Sequence, residues 1–505
     1  MTIDPRTPVI VGIGQITQHL PDPSAGLEPI ALLAAAARAA LADGGGDDGA
    51  TLRIDTVAVA EILSWRYPDP GALLARRMDI EPRTTILTST GGNSPQMLMN
   101  RLAAGIQAGD HDVVLLGGVE CMYSRRRARR IEPKSWLEWT KSDDAPCPNV
   151  WGDDRPGTTQ YEMAHRALAP TQVYPLFETA LRNARGHGID EHQRAVGELW
   201  SQFAAVAADN PDAWSRAAYS TEEIATPTAD NRLVCFPYTK RMCANLDVDQ
   251  AAAVILCSYE AAVAAGVPSD RMVFPVAGAD AHDHYYVTER DSLARSTAIG
   301  IAGHAALAAA GVTLDDVARF DLYSCFPAAV ELAMDSLGLV GRTGGDDRPL
   351  TVTGGLPFAG GPGNNYVTHS IAAMVDTCRA NPGSIGLVTA LGWYATKHSV
   401  GLYSTTPPLG GFNRVDPGVT QAQVDALPRR DAAGVIDASG EVEATSVAFD
   451  RDGTPTIGIL SVVLADGHRA LANCTDGDTL REMCMQPWEG RTVKFRPDGD
   501  TNLVS

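Results

Sequence analysis

The sequence predicts an α/β protein of two similar halves, with a lobe inserted between them and a small β-barrel-like domain at the C-terminal end. Three observations carry that reading. Short apolar, β-branched runs alternate with alanine-rich helical stretches, the pattern of parallel strands covered by helices. The same order of runs starts again at residue 273. After residue 405 the pattern changes to alternating residues broken by glycine-containing turns, which suits short antiparallel strands.

In the first half, VIVGIG (9–14) reads as a strand and IALLAAAARAALADGG (30–45) as a helix ended by its glycines. IDTVAVAEIL (54–63) and TTIL (84–87) are strand-like. SPQMLMNRLAAGIQAGD (94–110) is helical, with Ser94 placed as N-cap and Pro95 at the first helical position. VVLLGG (113–118) is apolar throughout, as in a sheet covered on both faces. The second half repeats the series as VFPVAG (273–278), TAIGIAGHAALAAAGV (297–312), RFDLYSCF (319–326), PLTVTGG (349–355), NYVTHSIAAMVDTCRA (365–380) and SIGLVTALG (384–392). Residues of about 120–270, with helices such as AVGELWSQFAAVAAD (195–209), form the expected inserted lobe. The domains are therefore placed at 1–272, 273–408 and 425–505, the last built from EVEATSVAF (441–449), PTIGILSVVLADGHRALAN (455–473) and GRTVKF (490–495).

With 505 residues, 45% of them hydrophobic and 20% charged, the chain can bury a full core without staples. Its formal charge of −20 repels phosphate backbones and anionic lipid, so nucleic acid and membrane are excluded as expected partners. One basic run stands out, at Arg125, Arg126, Arg127, Arg129 and Arg130. The nine cysteines contain no CxxC pair and read as reduced thiols of a cytoplasmic protein. The first residues carry no signal-peptide pattern, and no uncharged apolar run approaches the length of a membrane span. No metal site is expected: His282 and His284, in AHDH, have no visible partner ligands.

The duplicated halves, together with SQFAAVAADNPDAWSRAAYSTEEI (201–224) and LDVDQAAAVILCSYEAAVAAG (246–266), resemble the thiolase superfamily, and within it the sterol-carrier-protein type. The likeness runs over roughly residues 6–405 and implies the layered αβαβα thiolase fold. The tail resembles an extra module of thiolase-like proteins, similar to an oligonucleotide/oligosaccharide-binding barrel. What the resemblance implies for function is acyl-CoA and lipid metabolism, with CoA or an acyl-CoA as ligand and no covalently bound cofactor. Thiolases are commonly dimers or tetramers. The extra barrel leaves both a homo-oligomer and a monomer open.

Four motif positions carry the family's chemistry. Its cysteine nucleophile sits on a turn before a helix, where the dipole lowers the thiol pKa. The corresponding turn is TSTGGNSPQ (88–96), which sets Gly92 in the cysteine's place beside Asn93 and Ser94. The family's Gly-His-Pro motif corresponds to GGPGNN (360–365), with Gly361 in place of the histidine and Asn365 opening the next helix. The third motif reads Tyr323, Ser324, Cys325, Phe326, and relatives use that cysteine as acid/base. The fourth, a Cys-x-Gly loop, is Leu391, Gly392, Trp393 here. Ordinary acetyl-CoA acetyltransferase activity is therefore not expected, since the covalent route lacks its nucleophile. Tyr323, Cys325, His369 and His398 are the candidate catalytic groups for an altered chemistry such as retro-aldol cleavage or acyl transfer. Lys240 and Arg241, on the lobe that holds coenzyme A in relatives, are candidate phosphate contacts, as is the arginine run. A third expectation is a partner-dependent subunit or scaffold that presents the barrel to another protein.

Overall fold

A computed structural model describes residues 3–45, 52–130, 137–340 and 348–504. The first half is a six-stranded sheet in the order Pro8–Thr17, Asp249–Ser258, Val113–Cys121, Thr56–Val59, Thr84–Thr88, Val150–Trp151. The second is a five-stranded sheet in the order Val317–Asp321, Ile385–Gly392, Lys397–Ser404, Phe274–His282, Asn413–Arg414. The duplication is exact in pairing sense. Thr56–Val59 is parallel to Val113–Cys121, which is antiparallel to Asp249–Ser258, which is antiparallel to Pro8–Thr17. Val317–Asp321, Ile385–Gly392, Lys397–Ser404 and Phe274–His282 repeat that series.

Helix Pro29–Asp43 covers the outer face of the first sheet, and helix Thr297–Ala310 that of the second. Helices Ser94–Ala108 and Tyr366–Ala380 pack on each other and between the two sheets, which completes five layers. Both are buried on nearly all sides, and their buried polar residues, such as Gln96, Asn100, Thr368 and Ser370, are hydrogen-bonded.

Three expectations are corrected. The insertion is shorter than residues 120–270, because Asp249–Ser258 is a wholly buried strand in the middle of the first sheet. Its AAAVILC run packs as sheet core, although its alanines resemble the helical stretches around it. Ser94 is not the helix cap: Asn93 is, and the Ser94 hydroxyl donates to the Ser89 carbonyl at 3.1 Å. PLTVTGG forms no strand, because buried Asp321 takes its polar groups. That carboxylate accepts from the Val352 and Thr353 amides at 2.9 and 3.1 Å and from both threonine hydroxyls at 3.0 Å. The amides of this segment are thus satisfied away from the sheet edge.

The C-terminal strands Ala438–Phe449, Pro455–Leu464, Arg469–Cys474, Thr501–Val504 and Thr492–Asp498 close into a five-stranded barrel. It docks on the insertion, whose strand Leu233–Phe236 pairs with Val447 and Ala448. Arg469, fully buried, ties it to the second half: the guanidinium donates to Glu443 at 2.8 Å and to the carbonyls of Val287 and Thr288 at 3.3 Å. Among the described residues, no helix is long and apolar enough to cross a membrane.

Candidate functional site

The four motif loops meet at the turn Gly91–Asn93. The Gly91 amide donates to Asn364 Oδ1 at 2.9 Å, which brings in the 360–365 loop. A Cβ on Gly92 would stand 2.2 Å from the Tyr323 hydroxyl and 2.6 Å from the Leu391 carbonyl oxygen. A Cβ on Gly392 would stand 2.5 Å from Asn93 Oδ1. These are the four motif positions that the family resemblance singles out, and the Tyr323 phenol occupies the space beside Gly92.

Tyr323 and Cys325 lie close enough to influence each other, whereas His369 and His398 are engaged elsewhere. Burial raises the Tyr323 phenol well above its usual value. Burial likewise pushes the Cys325 thiol up to about 12, against the nearby Tyr174 hydroxyl. Tyr174, from the inserted helix Pro170–Arg185, donates to the Trp393 carbonyl at 2.9 Å and accepts from the Ala395 amide at 3.0 Å. It thereby holds Trp393 and Ala395, whose φ values are 59° and 49°, in left-handed backbone. His369 lies in the central helix with Nδ1 at 2.7 Å from Gln15 Oε1, and burial pulls its imidazole down to about 3. His398 Nε2 lies 3.0 Å from the Ala395 carbonyl oxygen and 3.1 Å from Ser296 Oγ. The Ser296 hydroxyl donates to Asp283 at 2.6 Å. Burial alone would raise the Asp283 carboxyl, but His398, 3.6 Å away, and the charge of Arg290 bring it down to about 2.

Sequence reasoning missed Lys397. Its ammonium is buried beside the Gly91–Gly92 turn and donates to the Thr90 and Asp153 carbonyls at 2.7 and 2.9 Å. Burial lowers it to about 8. With Asn93, Ser94 and His398 it lines a cleft of ≈ 370 Å³. Nothing local marks Lys397 in the sequence; the strand register decides it. Glu120 was missed as well. It accepts from the Leu63 and Ser64 amides at 2.7 Å, and burial raises it to about 7.

A larger groove of ≈ 800 Å³ opens on the lobe side. Lys240, Arg241 and Arg126 line it, so one arginine of the basic run reaches it. Its aromatic wall is a stacked pair, His19 and Trp214, with ring centroids 4.1 Å apart, and Tyr219, whose ring lies 4.5 Å from the Arg241 guanidinium. The groove floor is stitched to the motif loops. The Ala244 amide donates to the Cys325 carbonyl at 2.9 Å, and the Gly361 amide donates to the Asn245 carbonyl at 2.9 Å. A Cβ built on Gly361 would stand 3.3 Å from the Asn245 carbonyl oxygen, a tight approach. Asn365 packs on Gly118 and accepts from the Thr368 hydroxyl at 2.6 Å.

Residues 279–378 match a family described as "Thiolase C-terminal domain-like", and residues 420–500 match "Thiolase-like protein type 1 additional C-terminal domain". The crystal structure of a monomeric SCP2-thiolase-like protein type 1 from Mycobacterium smegmatis is 34% identical, covers 100% of both chains and superposes with a TM-score of 0.85. This chain belongs to that thiolase-like family. Within the superfamily, similarity of fold extends to an acetyl-CoA acetyltransferase from Syntrophomonas wolfei, at 15% identity, TM-score 0.56 and coverage of 80% and 100%. It extends also to the Ltp2–ChsH2(DUF35) aldolase, at 18% identity, TM-score 0.57 and coverage of 79% and 98%. A search of curated proteins gives no match. As a family member the chain carries two thiolase-like halves and the additional C-terminal domain that is named after its type.

Proposed function

We propose that this thiolase-like protein binds CoA or an acyl-CoA in the groove of Lys240, Arg241 and Arg126 and does not run ordinary thiolase turnover. The carrying observation is the groove itself. Lys240, Arg241 and Arg126 outnumber the lining carboxylates Asp230 and Asp247, the second of which pairs with Arg126 at 3.3 Å, so Lys240 and Arg241 are the cations that suit a pyrophosphate, and the aromatic wall of the groove suits an adenine. Its floor is hydrogen-bonded to the loops of Cys325 and Gly361, where a thioester would arrive. Tyr323 against Gly92 leaves no thiol at the turn before the central helix, and the raised Cys325 pKa disfavours it as a replacement nucleophile. A carrier, sensor or scaffold in acyl-CoA metabolism fits these features, and nine free thiols suit a cytoplasmic setting. Retro-aldol or acyl-transfer chemistry has less support, because burial raises both the Tyr323 phenol and the Cys325 thiol, and His369 and His398 are engaged elsewhere, with Gln15 and with Ser296 and Ala395.

Calorimetric titration with CoA and acetyl-CoA, beside an acetoacetyl-CoA thiolysis assay, tests the reading. Binding without turnover is expected. Robust thiolysis would overturn it, and no binding by the purified chain would favour the partner-dependent subunit.

A further inference from the structure

We propose that Glu178, His192 and Glu331 form a site for one divalent transition-metal cation of zinc type, placed between the inserted lobe and the second half. The three residues come from three helices, Pro170–Arg185, Ile189–Asp209 and Pro327–Leu337, and all three are buried. One donor atom from each lies within 4.8 Å of the other two. Glu178 Oε1 is 2.5 Å from His192 Nε2, while Glu178 Oε2 accepts from the Tyr238 hydroxyl at 2.6 Å. Arg185 holds Glu331 Oε1.

Glu331 Oε2 is buried and no donor group reaches it; its neighbour is the Glu178 carboxyl, so only a shared proton or an ion can join the two. An orphaned carboxylate oxygen in a core is costly, and a missing ion is one of the few things that explains it. The charges point the same way. Two buried carboxylates face one guanidinium, Arg185, which also pairs with Asp335 at 3.1 Å, while the neighbouring Arg182 is committed to Glu489. One imidazole and two carboxylates make a donor set suited to zinc-like ions. Calcium and magnesium ask for more oxygens than these three residues supply. Tetrahedral ligands at ~2.1 Å stand about 3.4 Å apart, so the 2.5 Å contact must open by about 1 Å when the ion enters. The Tyr238 hydroxyl would orient Glu178 from outside. The site lies apart from the CoA groove, so its role is a clamp between lobe and second half. The sequence, which showed no ligand spacing, concealed it because the three ligands lie on separate helices.

The test uses the full chain, stripped with chelator and titrated with Co²⁺ and Zn²⁺. One saturating equivalent is expected, with the visible bands of tetrahedral Co²⁺, no thiolate charge-transfer band and a rise in Tm. Glu331→Gln and His192→Gln should each weaken binding by at least about ten-fold. Should His192→Gln fail to fold, Glu331→Gln, which keeps the side-chain shape, decides. The proposal falls if binding does not saturate, if Glu331→Gln binds as tightly as the parent, or if the spectrum shows cysteine ligation. A parent chain unmoved by metal and matched in Tm by Glu331→Gln would also overturn it, leaving a carboxyl pair that shares a proton.

Discussion

The hydroxyl of Tyr323 stands 2.2 Å from where a Cβ on Gly92 would be, so the phenol and a side chain at that turn exclude each other. Gly92→Ala should destabilise the protein by about 1–3 kcal/mol through overpacking. In a Tyr323→Phe background the cost should fall without vanishing, because the Leu391 carbonyl still stands 2.6 Å away. Urea unfolding of the double-mutant cycle measures this, and strictly additive losses would show that the phenol does not fill the space.

Cys325 should be a poor nucleophile. With its thiol pushed up to about 12, its thiolate fraction at pH 8 is about 10³ below that of an ordinary cysteine. Iodoacetamide labelling read by peptide mass spectrometry should leave it unmodified in the folded chain and modify it in denaturant. Fast labelling of native Cys325 would return it to the list of catalytic groups.

His369 makes stability depend on pH. Its folded pKa of about 3 lies below the unfolded value near 6.5, so the unfolded chain takes up the extra proton. Its contribution is complete above pH ~6.5 and is lost as pH falls toward 3, at about 1.4 kcal/mol per pH unit. His369→Gln should flatten the stability profile between pH 6 and 4 by about that slope, in denaturation measured at each pH.

The groove cations predict salt-sensitive ligand binding. Lys240 and Arg126 are exposed, and charges in such settings are screened. A Lys240→Ala/Arg241→Ala chain should bind CoA about ten-fold or more weakly and show less dependence on ionic strength by calorimetry. An unchanged affinity would place the ligand elsewhere.

Arg469→Met should cost about 3–5 kcal/mol, since it strands Glu443 and frees carbonyls at the barrel's seat. Limited proteolysis should then release the barrel early. A variant as resistant as the parent would show that the barrel's other contacts, among them the strand pairing at Val447–Ala448 and the bonds of Asn473 and Asn502 to His165, hold it without Arg469.

Much of this protein was legible in the chain itself. The repeated strand and helix runs set the duplicated α/β architecture, because hydrophobic period and helix propensity are local properties. The glycines at 91, 92, 361 and 392 marked the loops that later meet. Tertiary structure decided the rest. Only sheet pairing reveals that Asp249–Ser258 is core and lies between Pro8–Thr17 and Val113–Cys121. Only the fold shows Asp321 drawing PLTVTGG off the sheet edge, or Lys397 reaching Thr90 across a separation of 307 residues. Contacts of that kind depend on which surfaces the packed layers press together, and no stretch of sequence short enough to have its own periodicity contains both partners.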